Sequence, residues 1–330
     1  MNDSKSPSPQ ALDAVRRVGL IAGWGRYPIL LAQALKRSGR EVVCLGVRDH
    51  ADPELAEICD VFEWGGIGKF GKATRFFQKQ GVEYATMAGK IHKVRLFDPA
   101  FIWRQAPDWY TIAFFADHFL FRRRDCKDDS LLLTCVRAFE RRGIKIKPGT
   151  DFAPELLVNR KLFTKRAPTS AQWKDVFFGW KLAREMGRLD VGQSVCVKNQ
   201  AVLAVEAIEG TDASIRRAGE LCKSKNFVVV KVSKPNQDMR FDVPTVGLGT
   251  LQTMSEVGAS VLAIEAKKTL LIDYEKVIEF ADARNIAVVA IAEEDVDSPA
   301  TEMRFVAPPI AARKLRPGVA SVAQSNVASK

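Results

Sequence analysis

The chain of 330 residues is long enough for two domains, and its hydrophobic content of 47% is sufficient for packed cores. No apolar run reaches the length of a membrane span, and the polar first 17 residues lack the apolar core of a signal peptide. Six cysteines form no C-x-x-C pair, which indicates buried thiols in a reducing compartment, and three histidines are too few for a His-rich zinc site.

The formal net charge of +11 favours an anionic partner, which could be a phosphate, a nucleic acid or an acidic membrane surface. Nucleic acid is the weakest of these, because the basic residues are scattered among many acids and aromatic RNA-binding motifs are absent. We predict a disordered tail over residues 1–17 and a basic flexible tail over residues 306–330.

The first half alternates short apolar strands with amphipathic helices, a pattern typical of a doubly wound sheet. Predicted strands cover residues 18–23, 41–47, 61–64, 82–88 and 144–146, and predicted helices cover residues 28–38 and the stretch ending at residue 80. Gly23 and Gly25 before the first helix, and Lys69 beside glycines before the second, form candidate anion-binding turns. Purely structural turns are the alternative. Pro28 replaces the third glycine of the NAD fingerprint, which disfavours a dehydrogenase.

Residues 100–124 are rich in aromatic side chains. Such residues are most often core, and the alternative is that they line an apolar channel together with residues 176–180. The aromatic set is Phe101, Trp103, Trp109, Tyr110, Phe114, Phe115, Phe119 and Phe121. Asp128 and Asp129 then predict the N-terminus of a helix that ends at residue 142.

The predicted fold consists of two α/β domains joined by a hinge. The first, over residues 18–165, is a Rossmann-like doubly wound sheet, and the second, over residues 166–305, is a mixed α/β domain that carries catalysis. A helix is predicted over residues 171–187, and a hairpin over residues 195–197 and 202–208 turns at Asn199 and Gln200. Thr211 or Asp212 is predicted to cap the helix that follows. Further strands are predicted over residues 227–232, 261–264, 269–272 and 286–292, and further helices over residues 247–257 and 274–284.

The most polar stretch is residues 231–247, KVSKPNQDMRFDVPTVG. Its alternation predicts an extended segment with Asp238, Arg240 and Asp242 on one face, and Pro244 disfavours helix for the residue before it. In a straight strand the two aspartates would lie about 13 Å apart, too far for one Mg²⁺ to bind both. Either the segment curls or the aspartates have separate roles. Arg240 acting only to neutralise them is the structural alternative.

Three motifs of the second half resemble a known family. They are Gly192-Gln193-Ser194, the stretch AVEAIEGTD over residues 204–212, and KVSKPNQDMRFDVP over residues 231–244. With GLIAGWG, GGIGK and GKI motifs in the first half, the chain resembles the UDP-2,3-diacylglucosamine pyrophosphatases of lipid A biosynthesis. Within them it resembles the metal-dependent branch, which is unrelated to the calcineurin-like phosphoesterases.

The resemblance implies hydrolysis of UDP-2,3-diacylglucosamine to UMP and 2,3-diacylglucosamine 1-phosphate (lipid X), with two domains closing over the substrate. Departures include Lys127 before the two aspartates, where the family has glycine. The alternative is a non-catalytic binding protein for a nucleotide sugar or a phospholipid precursor. We expect a cytoplasmic enzyme, peripheral at the inner face of the inner membrane, whose contact with an anionic bilayer weakens with salt.

Water attack on a phosphoanhydride requires charge neutralisation and positioning, and Mg²⁺ (or Mn²⁺) is the expected cofactor. The predicted catalytic residues are Asp238, Asp242, Asp212 and Glu209. The predicted metal ligands are Asp238, Asp242 and Glu206. The predicted substrate-binding residues are Gly23, Gly25, Lys69, Gln193, Thr211, Arg216, Lys231, Lys234, Gln237 and Arg240.

Overall fold

The computed structural model of the chain describes residues 12–91, 107–114 and 128–297. Its first part is a five-stranded parallel sheet in the order β3-β2-β1-β4-β5. The strands are β1 (Arg17–Ala22), β2 (Glu41–Val47), β3 (Val61–Gly65), β4 (Tyr84–Ala88) and β5 (Lys145–Ile146). The helices are α1 (Tyr27–Arg37), α2 (Leu55–Ile58), α3 (Phe70–Lys79) and α4 (Asp128–Glu140).

Helices cover both faces of this sheet, because its strands are apolar on both sides. On one face Leu20 and Cys44 pack with side chains of α1 and α2. On the other face Val43 and Leu45 pack with Phe77 of α3 and with side chains of α4. Buried parallel strands with helices on both faces define a doubly wound sheet, so this part of the fold prediction is confirmed.

The chain enters the second unit earlier than predicted. After the short helix α5 (Gly149–Phe152) and a 3₁₀ turn (Pro154–Leu156), the strand β6 (Lys161–Leu162) pairs antiparallel with a strand of the second sheet. The second sheet therefore begins before the predicted boundary at residues 165 and 166. Residues 12–17 of the predicted N-terminal tail belong to the first unit instead, since Leu12 is buried and Arg17 opens β1.

The second part is a six-stranded mixed sheet in the order β6-β13-β11-β9-β7-β8. Its remaining strands are β7 (Ser194–Lys198), β8 (Ala201–Val205), β9 (Phe227–Lys231), β11 (Ala259–Glu265) and β13 (Ala287–Ile291). The helices are α6 (Ser170–Arg188), α7 (Thr211–Leu221), α8 (Leu248–Val257), α9 (Tyr274–Ala283) and α10 (Glu293–Val296). A separate parallel pair joins β10 (Thr245–Val246) to β12 (Leu270–Leu271).

Strand direction follows the connections. The strands β9, β11 and β13 run parallel because helices connect them, whereas β7 runs antiparallel to β9 and forms a hairpin with β8. The hairpin turns at Asn199 and Gln200, both with positive φ, as predicted. Helix α6 covers one face through Trp173 and Trp180, and helices α7 to α9 cover the other.

The two units contact each other through side chains. Arg26, before α1, forms an ion pair with Asp273 of the second unit at 3.4 Å. Phe241 packs against the core cluster of the first sheet that contains Phe77, and Arg240 reaches Glu140 of α4 at 3.9 Å. The two units are therefore joined by ionic and apolar contacts. Hinge motion between them stays a prediction.

Some predicted features lie outside the described residues. These are residues 1–11 of the N-terminal tail, the C-terminal tail, Lys127, and the aromatic residues Phe101, Trp103, Phe115, Phe119 and Phe121. Of the described aromatic residues, Trp109 is mostly exposed, so it does not belong to a core. In the part of the chain that the structure describes, no helix is both long enough and apolar enough to cross a bilayer.

Candidate active site

The centre of the candidate site is Lys231, the last residue of the buried strand β9. Its ammonium group donates to Thr211 Oγ1 at 3.2 Å and to the carbonyl oxygen of Thr245 at 3.1 Å. The Thr211 hydroxyl in turn donates to Glu206 Oε1 at 3.0 Å. The sequence motifs AVEAIEGTD and KVSKP therefore meet at one point, where the carboxyl end of β9 lies beside the start of α7.

Burial lowers the pKa of Lys231, because a charged ammonium is poorly solvated inside the protein. Lys90, which follows β4 of the first sheet, lowers this pKa further, whereas Glu206, Asp212 and Asp242 raise it. A charge shifts a pKa only over a short distance, so these four charged groups lie close to Lys231. Both sheets thus contribute charged groups to one cluster at their carboxyl edges, the usual ligand-binding position in open α/β sheets.

Two buried oxygens at this edge are without hydrogen-bond partners among the described residues. They are Glu206 Oε2 and Gln193 Oε1. Gln193 and Glu206 lie on adjoining stretches, since Glu206 N donates to Ser194 O and Val232 N donates to Gln193 O. Buried polar atoms are normally paired, so these two acceptors are available to a water molecule, a cation or a donor group of a ligand.

The segment that follows β9 does not have the predicted extended form. It turns back on itself, because the amides of Phe241 and Asp242 both donate to the carbonyl oxygen of Asp238, at 3.3 and 3.1 Å. The prediction of an alternating extended segment was therefore wrong, and of the two possibilities left open by the spacing, the segment curls. Pro235 and Pro244 bracket this turn rather than a strand.

Asp238 and Arg240 form a closed pair within the turn. Arg240 Nε lies 2.9 and 3.1 Å from the two carboxylate oxygens, and Arg240 Nη2 lies 2.6 Å from Oδ2. Partial burial opposes ionisation of Asp238, but hydrogen bonds from Arg240 outweigh it and lower the pKa of Asp238. The same bonds raise the pKa of Arg240. Arg240 thus neutralises its neighbour, which was the structural alternative for this residue.

Asp242 has a different environment. It is exposed, and its Oδ2 accepts a hydrogen bond of 2.6 Å from the side-chain amide of Gln237. Because Asp242 is exposed and its charge acts on Lys231, it is better placed for catalysis than Asp238, whose two oxygens are bonded to Arg240. Its catalytic role stays a prediction, as does that of Asp238.

The predicted metal ligands do not form one three-carboxylate cluster. Among the described residues, no group of three His, Cys, Asp or Glu side chains is arranged to hold a metal ion. Arg240 contacts both carboxylate oxygens of Asp238, whereas Glu206 Oε2 has no hydrogen-bond partner among the described residues. Glu206 and Asp242 remain as carboxylates that could share a cation with substrate phosphates, because Mg²⁺ is usually held by one or two carboxylates.

The start of α7 also differs from its prediction. Gly210, with φ +81°, is the N-cap residue, and neither Thr211 nor Asp212 caps the helix through its side chain. The reason is that both side chains have other partners: Thr211 binds Glu206, and Asp212 Oδ1 accepts from Thr250 Oγ1 at 3.0 Å. The first amides of α7 are left available to a ligand, since a helix N-terminus leaves its first N–H groups unpaired.

Glu209, Arg216 and Lys234 each have a protein partner. Glu209 pairs with Arg217 at 2.8 Å, and Arg216 Nη2 donates to Thr253 Oγ1 of α8 at 3.2 Å. Lys234 pairs with Asp190 at 2.7 Å. These bonds occupy all three predicted site residues with protein partners, and their roles toward a substrate stay predictions.

The first sheet provides a close backbone contact at its carboxyl edge. A Cβ atom on Gly23 would lie 2.8 Å from the carbonyl oxygen of Lys90, and the amide of Trp24 donates to that oxygen. Gly25 has φ +112°, a backbone conformation that favours glycine. Lys69 lies at the start of α3, where its amide donates to Gly66. Phosphate binding by these residues stays a prediction.

Sequence reasoning did not assign a role to Lys90 or Glu265. Both are charged residues at the carboxyl end of a short apolar strand, the position that Lys231 occupies in β9. Lys90 follows β4, and Glu265 ends β11, where its Oε2 accepts from the amide of Ser233 at 2.7 Å. Burial raises the pKa of Glu265, and this hydrogen bond and Arg184 oppose the rise.

Comparisons with known proteins match almost the whole described chain. Residues 17–156 match the LpxI N-terminal domain family, and residues 159–289 match the LpxI C-terminal domain family. A relative from Caulobacter vibrioides, UDP-2,3-diacylglucosamine pyrophosphatase LpxI, is 32% identical over 286 residues. The match covers 84% of this chain and 98% of that relative. The Lys231 cluster lies entirely within the matched residues.

Proposed function

This chain belongs to the LpxI family, and we propose that it cleaves its substrate in the cleft between the carboxyl edges of its two sheets. It is a hydrolase that acts on the pyrophosphate bond of UDP-2,3-diacylglucosamine in lipid A synthesis. The products are UMP and 2,3-diacylglucosamine 1-phosphate. One observation supports this location of the active site. Thr211 is hydrogen-bonded to both Glu206 and Lys231, and the charges of Asp242 and of Lys90 from the first sheet act on Lys231.

The cationic part of the site suits the diphosphate. Lys231 has three N–H donors, of which two have protein acceptors, and the third is left for a phosphate oxygen. The first amides of α7 add donors and the positive end of the helix dipole. Because negative charge develops on the phosphate oxygens during water attack, fixed donors at this place stabilise the transition state.

Asp242 is the residue we assign to the attacking water. It is an exposed carboxylate next to the cationic cluster, and Gln237 fixes one of its oxygens. A carboxylate in this position orients the water and accepts its proton as the new P–O bond forms and the bond to the leaving phosphate breaks. Asp238 serves to fold the turn through Arg240 rather than to meet the water.

We propose Mg²⁺ (or Mn²⁺) as the cofactor, held by Glu206 together with substrate phosphates, which leaves Asp242 for the attacking water. The unpartnered Glu206 Oε2 fits such a role, because hard cations take oxygen ligands and a buried carboxylate oxygen requires a partner. The cation would neutralise charge on the diphosphate. Asp238 does not fit, since Arg240 contacts both of its oxygens.

Metal binding can be measured apart from turnover. We expect calorimetric titration of Mn²⁺ in the presence of UMP to give at least about tenfold weaker binding for Glu206→Gln, because one charged ligand is lost. Glu220→Gln on the exposed side of α7 is the matched control and is expected to bind like the wild type. Equal Mn²⁺ affinity for Glu206→Gln and the wild type would contradict the assignment.

The reaction is tested by release of UMP from UDP-2,3-diacylglucosamine with and without chelator. Asp242→Asn is expected to reduce kcat by roughly 10²- to 10⁴-fold with folding intact. Asp238→Asn is expected to reduce it less and to lower the melting temperature, because it weakens the pair with Arg240. Absence of UMP release with any metal would favour the non-catalytic binding protein instead.

We also propose transient contact with an anionic bilayer, from which the lipid substrate would be collected. The net charge of +11 supports electrostatic attraction, and Ile208 is fully exposed on the loop that ends at the Gly210 N-cap. Cosedimentation with phosphatidylglycerol vesicles is expected to fall with added salt and with Ile208→Ser. Val202→Ser on the exposed side of β8 is the control, and equal binding by both variants would exclude a role for Ile208.

A further inference from the structure

The side-chain amide of Gln237 is held in one orientation by the turn. Its Oε1 accepts from the backbone N–H of Lys234 at 2.9 Å and from the Ser233 hydroxyl at 3.0 Å. A backbone amide can only donate, so the atom that faces Lys234 is the carbonyl oxygen. The Nε2 group therefore faces Asp242, to which it donates at 2.6 Å.

The groups that hold Gln237 are themselves anchored in the sheet. Ser233 is buried, its amide donates to Glu265 Oε2 at 2.7 Å, and its carbonyl oxygen accepts from Arg184 Nη1 at 3.2 Å. Glu265 ends the central strand β11, and Arg184 lies on α6. A chain of hydrogen bonds therefore runs from two rigid elements through Ser233 and Gln237 to the carboxylate of Asp242.

We propose that Gln237 is a positioning residue that aims the Asp242 carboxylate, and that it is not a substrate ligand. This inference rests on the proposed function of Asp242. Both polar atoms of Gln237 already have protein partners, which leaves it little capacity to bind a substrate. In contrast, Asp242 is exposed on a turn, where a carboxylate without a fixed donor would sample several rotamers.

The proposal predicts a particular kinetic signature. In Gln237→Met the side chain keeps its length and loses both hydrogen-bonding atoms, so Asp242 is no longer held. Hydrogen bonds to charged groups are strong, and we expect kcat to fall roughly 10- to 100-fold. The KM value and the affinity for UMP are expected to stay within about twofold of wild type, because no substrate contact is lost.

The experiment compares steady-state UMP release, UMP binding and thermal melting for the wild type, Gln237→Met and Gln252→Met. Gln252 is exposed on α8, and its replacement is expected to change none of the three. A fall in kcat alone for Gln237→Met supports positioning. A rise in KM with unchanged kcat would overturn it, because that result identifies a substrate contact.

Ser233→Ala is the second variant, and it removes one of the two donors to Gln237 Oε1 while leaving Gln237 in place. For Ser233→Ala we expect a smaller fall in kcat than for Gln237→Met, at unchanged KM. If both variants had the kcat of the wild type, the hydrogen-bond chain through Ser233 and Gln237 to Asp242 would have no positioning role. Asp242→Asn separates the two levels. If Asp242→Asn keeps wild-type turnover, the proposed function of Asp242 fails, whereas an inactive Asp242→Asn with normal Gln237→Met refutes only the positioning role.

Discussion

Replacing Lys231 by methionine tests the centre of the site, because methionine keeps the length of the side chain and removes only the ammonium group. The lysine donates to Thr211 and Thr245, and burial lowers its pKa. Removing the ammonium relieves its desolvation, but it also removes two hydrogen bonds and leaves the buried carboxylate of Glu206 without a nearby positive charge. We therefore expect Lys231→Met to have a lower melting temperature than the wild type, and the kinetics are measured below that temperature, where the variant is folded.

The effect on catalysis follows from the donor count. Two of the three ammonium N–H groups have protein acceptors, so one is left for the substrate. A hydrogen bond to a charged phosphate contributes about 1.5–3 kcal/mol, which corresponds to roughly 10- to 150-fold in rate. Because charge on the phosphate increases in the transition state, the loss is expected mainly in kcat.

The assay is UMP release over a range of substrate concentrations, with Lys276→Met on the exposed side of α9 as the matched control. We expect a fall in kcat of at least tenfold for Lys231→Met and no change for Lys276→Met. A kcat within threefold of wild type would refute the reasoning, since it would show that the third N–H group does not meet the reacting phosphate.

Two further predictions concern stability. A Cβ atom on Gly192 would lie 1.9 Å from the carbonyl oxygen of Glu206, so Gly192→Ala is expected to lower the free energy of unfolding in urea by about 1–3 kcal/mol and to reduce activity. The control is Gly249→Ala in α8, where a Cβ atom would meet open space, and we expect it to raise this free energy by about 0.5–1 kcal/mol. Equal effects of Gly192→Ala and Gly249→Ala would contradict the close contact at Gly192. Burial raises the pKa of Glu265 above its ordinary value of 4.5, so the folded state holds the proton of this carboxyl more tightly than the unfolded state does. The stability of the wild type therefore falls as the pH rises from 4.5 through the pKa of the folded state. Glu265→Gln is therefore expected to melt at a higher temperature than wild type at pH 8 by an amount that shrinks toward pH 4.5, and a difference independent of pH would show that ionisation is not the cause.

Local patterns were sufficient for the elements and for the family. Short apolar runs predicted the buried strands β1 and β2, and their burial on both faces follows from the absence of polar alternation. Asn199 and Gln200 predicted the hairpin turn, because a two-residue turn of this hand requires positive φ at both positions. The motifs around Thr211 and Lys231 carried the resemblance to the UDP-2,3-diacylglucosamine pyrophosphatases, which the comparisons confirmed, and metal dependence stays a prediction.

The partners of the polar side chains were decided only by the tertiary structure. Alternation predicted that Asp238 and Asp242 share a face, whereas the folded turn gives Asp238 to Arg240 and Asp242 to Gln237. Capping rules predicted that the Thr211 side chain could accept a hydrogen bond from a backbone amide of α7, but its hydroxyl donates to Glu206 of the preceding loop instead. Periodicity describes which way a side chain points along one element, and hydrogen bonds and charges act through space between elements. For that reason the sequence determined the strands, helices and family of this protein, whereas only the tertiary structure determined that Glu206, Asp212 and Asp242 of the second unit and Lys90 of the first surround Lys231.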